Sequence, residues 1–373
     1  MLQSTAAITL TAVAVGVAAV AAFALRRRAH RGPVGIRWIA EGVAVLAGVG
    51  AVAGGVVVLG ARFSAFFPAA HLAYLLLVVA APMLGGAVLL ATARRAGSLV
   101  AVGIALALIV PAPIGWYATH IAPYDLRVDR PTVALPPARA GHDAIRVGVL
   151  ADLELTHVDR FARTAVDRLM AEHPDLILLP GDIFDGSTAD LRRDGPSVRA
   201  LLARLHAPGG VYAVGGDADP DLVAADVYRG TGVHLLDDRI VHLRLGDRRV
   251  DLGGNGLRWA PPEALAIRQR LGTADPKVVR LLLVHRPDAV LGVAPNWDID
   301  LVVGAHTHGG QIALPVIGPL VTFSALPRSV AAGGVHLVGG HRIYISTGVG
   351  VVRKEAPQVR FLTRPSVGVI TLR

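Results

Sequence analysis

The segment Val302-Val303-Gly304-Ala305-His306-Thr307-His308-Gly309-Gly310-Gln311 places two imidazoles one residue apart, where an apolar run from Ile299 to Val303 meets a glycine-rich turn. Where a strand gives way to a turn, two imidazoles one residue apart can point in different directions, which lets His306 and His308 serve two neighbouring metal ions and not one. Carboxylates in comparable places complete the chemistry. Asp152 follows the apolar run from Ile145 to Leu150, and Asp182 follows that from Leu176 to Leu179. Asp217 follows Val211 to Val214, and His285 follows Val279 to Val284. Aspartate and histidine are common in turns for unrelated reasons, so no one of these positions is informative alone. The ordered set is, because ligands gather at the carboxyl edge of a sheet.

These blocks resemble the calcineurin-like metallophosphoesterase superfamily, in particular its membrane-anchored bacterial branch. The resemblance covers about residues 144 to 373 and is carried by Asp152, Gly181-Asp182-Ile183-Phe184-Asp185, Gly216-Asp217-Ala218-Asp219, His285 and the His306-Thr307-His308-Gly309-Gly310-Gln311 run. It implies an αββα four-layer sandwich and two divalent metal ions, of Mn, Mg, Fe or Zn. It also implies Asp182 as the carboxylate between the ions, Asp152 and His308 on the first, and Asp217, His285 and His306 on the second. Catalysis would then rest on Asp182, Asp217 and His306. Asp185 is expected to orient a ligand or to cap the helix that follows.

Two blocks depart from the family pattern. Glu154 stands where Asp-x-His would put a histidine, and it can itself offer oxygen to a hard ion; His157 is too far along to replace that ligand. Ala218 stands where the family has the histidine that meets the phosphate and assists the leaving group. Losing a general acid lowers rates about a hundredfold to ten-thousandfold. With Asp152, Glu154, Asp182 and Asp217 the site offers four carboxylates against two divalent cations. That charge balance predicts hard ions, Mn²⁺ or Mg²⁺, and slow turnover of esters with poor leaving groups.

The surrounding elements follow from the pattern of apolar residues. Residues 1–120 hold eight arginines and one acidic residue, Glu41, leaving 29 of 37 basic and 27 of 28 acidic residues beyond them. The basic excess therefore belongs to the first third, and it is no sign of nucleic-acid binding. The absence of cysteine excludes disulfides and thiolate metal sites. Four apolar stretches, Thr5 to Leu25, about Trp38 to Gly60, about Ala69 to Ala93 and Ser98 to about Tyr117, are long enough to cross a bilayer. The charges follow the first stretch, so it reads as a retained span and not a cleaved signal. Five arginines between the first two spans, with Arg94 and Arg95 between the third and fourth, oppose Arg62 alone between the second and third. That bias puts the first and third loops in the cytoplasm and the carboxyl-terminal domain outside the cell. Glu41 is expected to reach the interface or pair with Arg37, and Pro111 and Pro113 with Trp116 and Tyr117 to form a frayed end of span four.

Residues 121–143, with Pro123, Pro131, Pro136 and Pro137, are expected to form an extended linker, and 144–373 the metallophosphoesterase-like domain. There strands alternate with helices over about Val158 to Glu172, Ala189 to Leu205 and Pro262 to Leu271. The segment Ser346 to Lys354 resembles the family's late Ser-x-Gly-x-Gly loop, where Arg353 and Lys354 could meet an anionic head group. A domain tied to spans by a short linker stands near the bilayer, so the expected partners are a phosphorylated small molecule or lipid and the membrane itself. The expected activity is hydrolysis of a phosphomonoester or phosphodiester. The alternative is a catalytically impaired relative that binds metal or a phosphorylated ligand, or scaffolds a membrane complex.

Overall fold

A computed structural model describes residues 37–62, 65–93, 99–219, 226–352 and 355–373. The described residues divide into two compact units: those up to 120 with those between 352 and 358, and those from 121 to 351 with 359–373.

In the first unit, α1 (Arg37–Arg62) is followed by α2 (Phe66–Leu75), a π-helical segment Leu76–Ala80, and α3 (Ala81–Ala93). Next come α4 (Leu99–Ile109) and α5 (Pro111–His120). The described residues contain three stretches long and apolar enough to cross a membrane, Ala44–Ala61, Phe66–Thr92 and Leu99–Tyr124. The expected first span, Thr5 to Leu25, lies outside the described residues, as do Arg94 and Arg95. Glu41 belongs to α1 but precedes its apolar window. The helices meet through small residues: a Cβ on Gly85 would lie 2.6 Å from the carbonyl oxygen of Ala105. Apolar side chains such as Val58, Met83 and Leu90 face outward. The end of the last span is not frayed. Pro111 sits in the first turn of α5, where a missing N–H is tolerated, and the helix runs on to His120.

The second unit is built on two sheets. The first has the order β1-β15-β3-β4-β5-β6, with β2 also on β15. Its strands are β1 (Arg127–Asp129), β2 (Thr132–Val133), β3 (Ile145–Val149), β4 (Leu176–Leu179), β5 (Val211–Ala213), β6 (Val233–Leu235) and β15 (Ser366–Leu372). The second has the order β13-β14-β10-β9-β8-β7. It comprises β7 (Arg239–Leu245), β8 (Arg248–Asn255), β9 (Val279–Val284), β10 (Leu301–Gly304), β13 (Gly334–Val338) and β14 (His341–Ile345). A small hairpin, β11 (Ala313–Leu314) and β12 (Gly318–Pro319), stands apart.

Period-two burial gives each sheet two apolar faces. Val147, Val149, Leu176 and Leu178 of the first sheet share a core with Val250, Leu281, Leu283, Leu301 and Val303 of the second. The other face of the first sheet, with Ile177, Leu179 and Val369, packs on α6 (Arg160–Met170) and α7 (Thr188–Leu202) through Ala165, Val166, Leu169, Val198 and Leu202. Leu282, Val284, Val302 and Ile345 pack likewise on Leu271 of α8 (Pro262–Gly272) and on Val290. Every one of these strand residues is almost wholly buried, which is why their runs are continuously apolar and not alternating.

Residues 121–143 are not a free linker. The prolines do impose extended backbone, but the structure uses it at the sheet edge: β1 and β2, separated by Arg130-Pro131, both pair with β15 in parallel. Arg139 is then buried, with its Nε 3.0 Å from Oδ1 of Asp300.

Candidate metal centre

The parallel pairing of β3, β4 and β5, and of β8, β9, β10 and β14, brings the carboxyl ends of these strands to common edges. Beyond the strands the chain is held in register. Asp152 N–H donates to Gly181 O, Glu154 N–H to Asp182 O, Ala305 N–H to His285 O and Ser346 N–H to Gly304 O.

At five of the candidate ligands the backbone then turns into the left-handed region: Asp152 (φ 48°), Glu154 (49°), Asp182 (53°), His306 (70°) and His308 (47°). None is glycine, and such conformations are disfavoured for residues with a Cβ, so the surrounding hydrogen bonds must hold them. The reversals turn the side chains together.

Two groups result, and within each the potential ligand atoms lie within 4.8 Å of one another. One contains Asp182, Asp217, His285 and His306, the other Asp152, Asp182 and His308. Asp182 is common to both. In the first group Oδ1 of Asp217 lies 2.6 Å from His285 Nε2 and 2.9 Å from His306 Nδ1, and His285 Nε2 is 3.4 Å from Asp182 Oδ2. In the second, His308 Nε2 is 3.9 Å from Asp152 Oδ2 and 3.3 Å from Glu154 Oε1. Glu154 thus reaches the centre by way of His308. His285 Nδ1 donates to the carbonyl of Pro180 at 2.7 Å, which orients Nε2 toward Asp217 and the centre.

The electrostatics are those of a cluster built around positive charge. Burial, with the charge of Asp182, pushes Asp152 up to about 8; burial and Asp182 likewise push Glu154 well up. Asp182 is raised by burial, which outweighs the His285 charge. Burial opposes the charge on Asp217, yet hydrogen bonds from His285 and His306 hold its carboxyl well below the usual range. Against burial, Asp182 and Asp217 raise His285 to about 10. Burial and then the charge of Arg360 depress His308 far below an ordinary imidazole. Among the described residues, His306 Nε2 and His308 Nδ1 are buried and have no hydrogen-bond partner. Buried carboxylates crowded beside imidazoles are a donor set that fits hard or borderline divalent ions.

Asp185 is buried, but the cap of α7 is Ser187 in a capping box with Asp190, so Asp185 is not the cap. His157 is exposed and meets Thr156, away from both groups. Arg353 and Lys354 lie outside the described residues. Three contributors had no role assigned from sequence. Asp219 is buried and accepts from the backbone N–H groups of Ile183 and Phe184, which fixes the loop after Asp182; burial and Asp182 raise it to about 7. Arg360, wholly buried, donates to the carbonyls of Thr347, Gly348 and Gly350 and so ties the late glycine loop against Asp152. Arg286 donates to Asp217 Oδ2 at 3.4 Å. Only Asp219 had a signal, its place in the Gly216-Asp217-Ala218-Asp219 block.

The chain is 28% identical over 267 residues to the Bacillus subtilis protein named uncharacterized metallophosphoesterase YkuE, covering 69% of this chain and 89% of that one. It is 27% identical over 240 residues to Escherichia coli phosphodiesterase YaeI, covering 60% and 80%. It is also 23% identical over 273 residues to UDP-2,3-diacylglucosamine pyrophosphatase LpxG of Chlamydia trachomatis, covering 58% and 80%. The chain is thus similar to proteins named as a metallophosphoesterase and a phosphodiesterase. No family model matches it. Asp217 is the most exposed of the candidate ligands, with 36% of its side chain accessible, so the centre opens on its side.

Proposed function

We propose that this protein is a membrane-anchored, metal-dependent phosphoesterase that hydrolyses a phosphomonoester or phosphodiester at a two-metal centre. The observation that carries the reading is the membership of Asp182 in both ligand groups. Asp152 and His308 would hold one ion, with Glu154 adding charge through His308, and Asp217, His285 and His306 the other. When bound, the ions supply positive charge to the phosphoryl oxygens and acidify a water.

The protein's own residues set the limits of the chemistry. The oxygen of water forms a bond to phosphorus as the ester P–O bond breaks, and the departing oxygen needs a proton. Ala218 has none to give, so that oxygen must leave as an anion and take its proton from solvent, which favours acidic leaving groups. The arrangement of sheets and outer helices supports the αββα four-layer sandwich. The apolar helices support a multi-pass anchor, and the arginine bias supports an extracytoplasmic catalytic domain. A phosphorylated lipid or cell-envelope intermediate fits that position, and the name of LpxG, a pyrophosphatase of a diacylated sugar nucleotide, supports it.

Metal analysis and assay of the full chain in detergent test this. Two manganese ions per chain are expected, both lost in Asp182→Asn, with hydrolysis of an activated phosphodiester abolished by His306→Ala. Metal binding without turnover would instead favour a binding or scaffolding module, the reading to which Ala218 points.

A further inference from the structure

Strand β8 pairs in parallel with β9, with Asn255 opposite Val284. The residues that leave β8 therefore emerge on the same edge as His285-Arg286, immediately beside the candidate metal centre. There Leu257, Arg258, Trp259, Ala260, Pro261 and Arg286 line a recess of about 620 Å³. Its wall is fixed from behind. Arg268, almost wholly buried, donates to the Trp259 carbonyl at 2.8 Å, to Asn255 Oδ1 at 2.8 Å and to Gly292 O at 3.3 Å. The indole of Trp259 is half-buried against the core that includes Leu271.

Arg286 joins the two places. One end of its guanidinium meets Asp217 Oδ2, on the open side of the centre, while its Nε–H is buried with no acceptor among the described residues. The Arg286 side chain as a whole is nevertheless 41% exposed, so a phosphate can approach it from solvent. Guanidinium is suited to phosphate because its donors match two oxygens at once.

Resting on the phosphoesterase reading, we infer that this recess is the subsite for the substrate's organic group. The substrate class is an amphiphilic phosphoester, whose anionic phosphate is met by Arg286 and whose apolar or aromatic portion lies against Trp259, Leu257 and Pro261. Trp259 offers a large, positioned apolar face, and such faces discriminate by what they cover. Arg286 is the positioning link between phosphate and recess.

Two esters with the same leaving group separate this from catalysis: phenyl 4-nitrophenyl phosphate and methyl 4-nitrophenyl phosphate, assayed with the manganese-loaded full chain. The phenyl ester is expected to have the lower KM. Trp259→Ala should raise that KM about tenfold with kcat within about twofold, and leave the methyl ester unchanged; Trp259→Phe should restore most of the preference. Arg286→Gln should weaken both esters. Calorimetry with phenylphosphonate and methylphosphonate needs no turnover, so it decides the matter even if the phosphoesterase reading fails. Wild type should bind phenylphosphonate more tightly, and Trp259→Ala should lose about tenfold for that ligand alone. Equal binding of the two phosphonates by wild type, or equal losses in Trp259→Ala, would overturn the assignment.

Discussion

The backbone N–H of Ala218 donates to Oδ1 of Asp182 at 2.7 Å. Residue 218 therefore supports the shared carboxylate through its main chain, a contact any residue could make, while its methyl supplies neither proton nor charge. On the proposed reading, the chemical deficit lies in the side chain alone. Ala218→His is expected to raise kcat for alkyl phosphoesters by about tenfold or more, with little gain for 4-nitrophenyl esters, whose leaving group needs no acid. Steady-state rates on the two ester classes check this. An equal gain on both would place the deficit elsewhere.

Glu154 lies 3.3 Å from His308 and is buried with it. With a metal ion bound beside it, its carboxylate would add an oriented negative charge on the His308 side of the centre. Glu154→Gln keeps the shape and removes the charge, and metal affinity at that side is expected to fall about tenfold, in the range seen for groups that orient ligands. Titration of the chelated protein with Mn²⁺ should show one weakened and one unchanged site. Two unchanged sites would mean that Glu154 only fills space.

The candidate ligands were legible because each strand is buried on both faces. Runs such as Leu176-Ile177-Leu178-Leu179 and Val279 to Val284 mark a strand and its end without ambiguity, and the next polar residue stands at the edge. What escaped was whatever depends on partners far along the chain. β1 and β2 are strands only because β15, more than 230 residues later, lies beside them. Arg360 sits among residues that suggest no site, and its role exists only through carbonyls of the Thr347 to Gly350 loop. The left-handed conformations at Asp152 and His308 are likewise imposed by neighbours. Local propensity would have placed glycine or asparagine there.

Removal of metal should invert the usual dependence of stability on pH. In the metal-free protein Asp152 is raised to about 8 and Asp219 to about 7, both first by burial and then by the charge of Asp182. A carboxyl whose folded pKa lies above its unfolded value, about 3.9, stabilises the fold fully below about pH 4 and loses that contribution as pH rises through the folded value. His285, raised to about 10 although burial opposes its charge, acts in the same direction between about pH 6.5 and 10. Chelator-treated protein should therefore melt several degrees higher at about pH 5.5 than at about pH 8.5. With saturating Mn²⁺ the order should reverse, because ions bind the deprotonated carboxylates. Melting curves at both pH values, with and without chelator, decide it. A metal-free protein that is more stable at the higher pH would contradict the assignment of buried, uncompensated carboxylates.

Gly348 closes the centre from the side of the late glycine loop. Its φ is +68°, and a Cβ there would lie 2.6 Å from Cβ of Asp152 and 2.8 Å from its Oδ2. The loop cannot retreat freely, since Arg360 holds the carbonyls of residues 347, 348 and 350, and Gly350 N–H donates to Asp152 O at 2.7 Å. In Gly348→Ala, then, Asp152 must yield. Its side chain is expected to swing from His308, weakening the ion on that side about tenfold or more, with a smaller effect beside Asp217. Gly339, also at positive φ but with open space within 4 Å of where a Cβ would stand, is the control for left-handed strain alone. Gly339→Ala should cost a comparable fraction of stability and leave both metal affinities intact. Matching metal losses in the two variants would show that backbone strain, and not the contact with Asp152, had been measured.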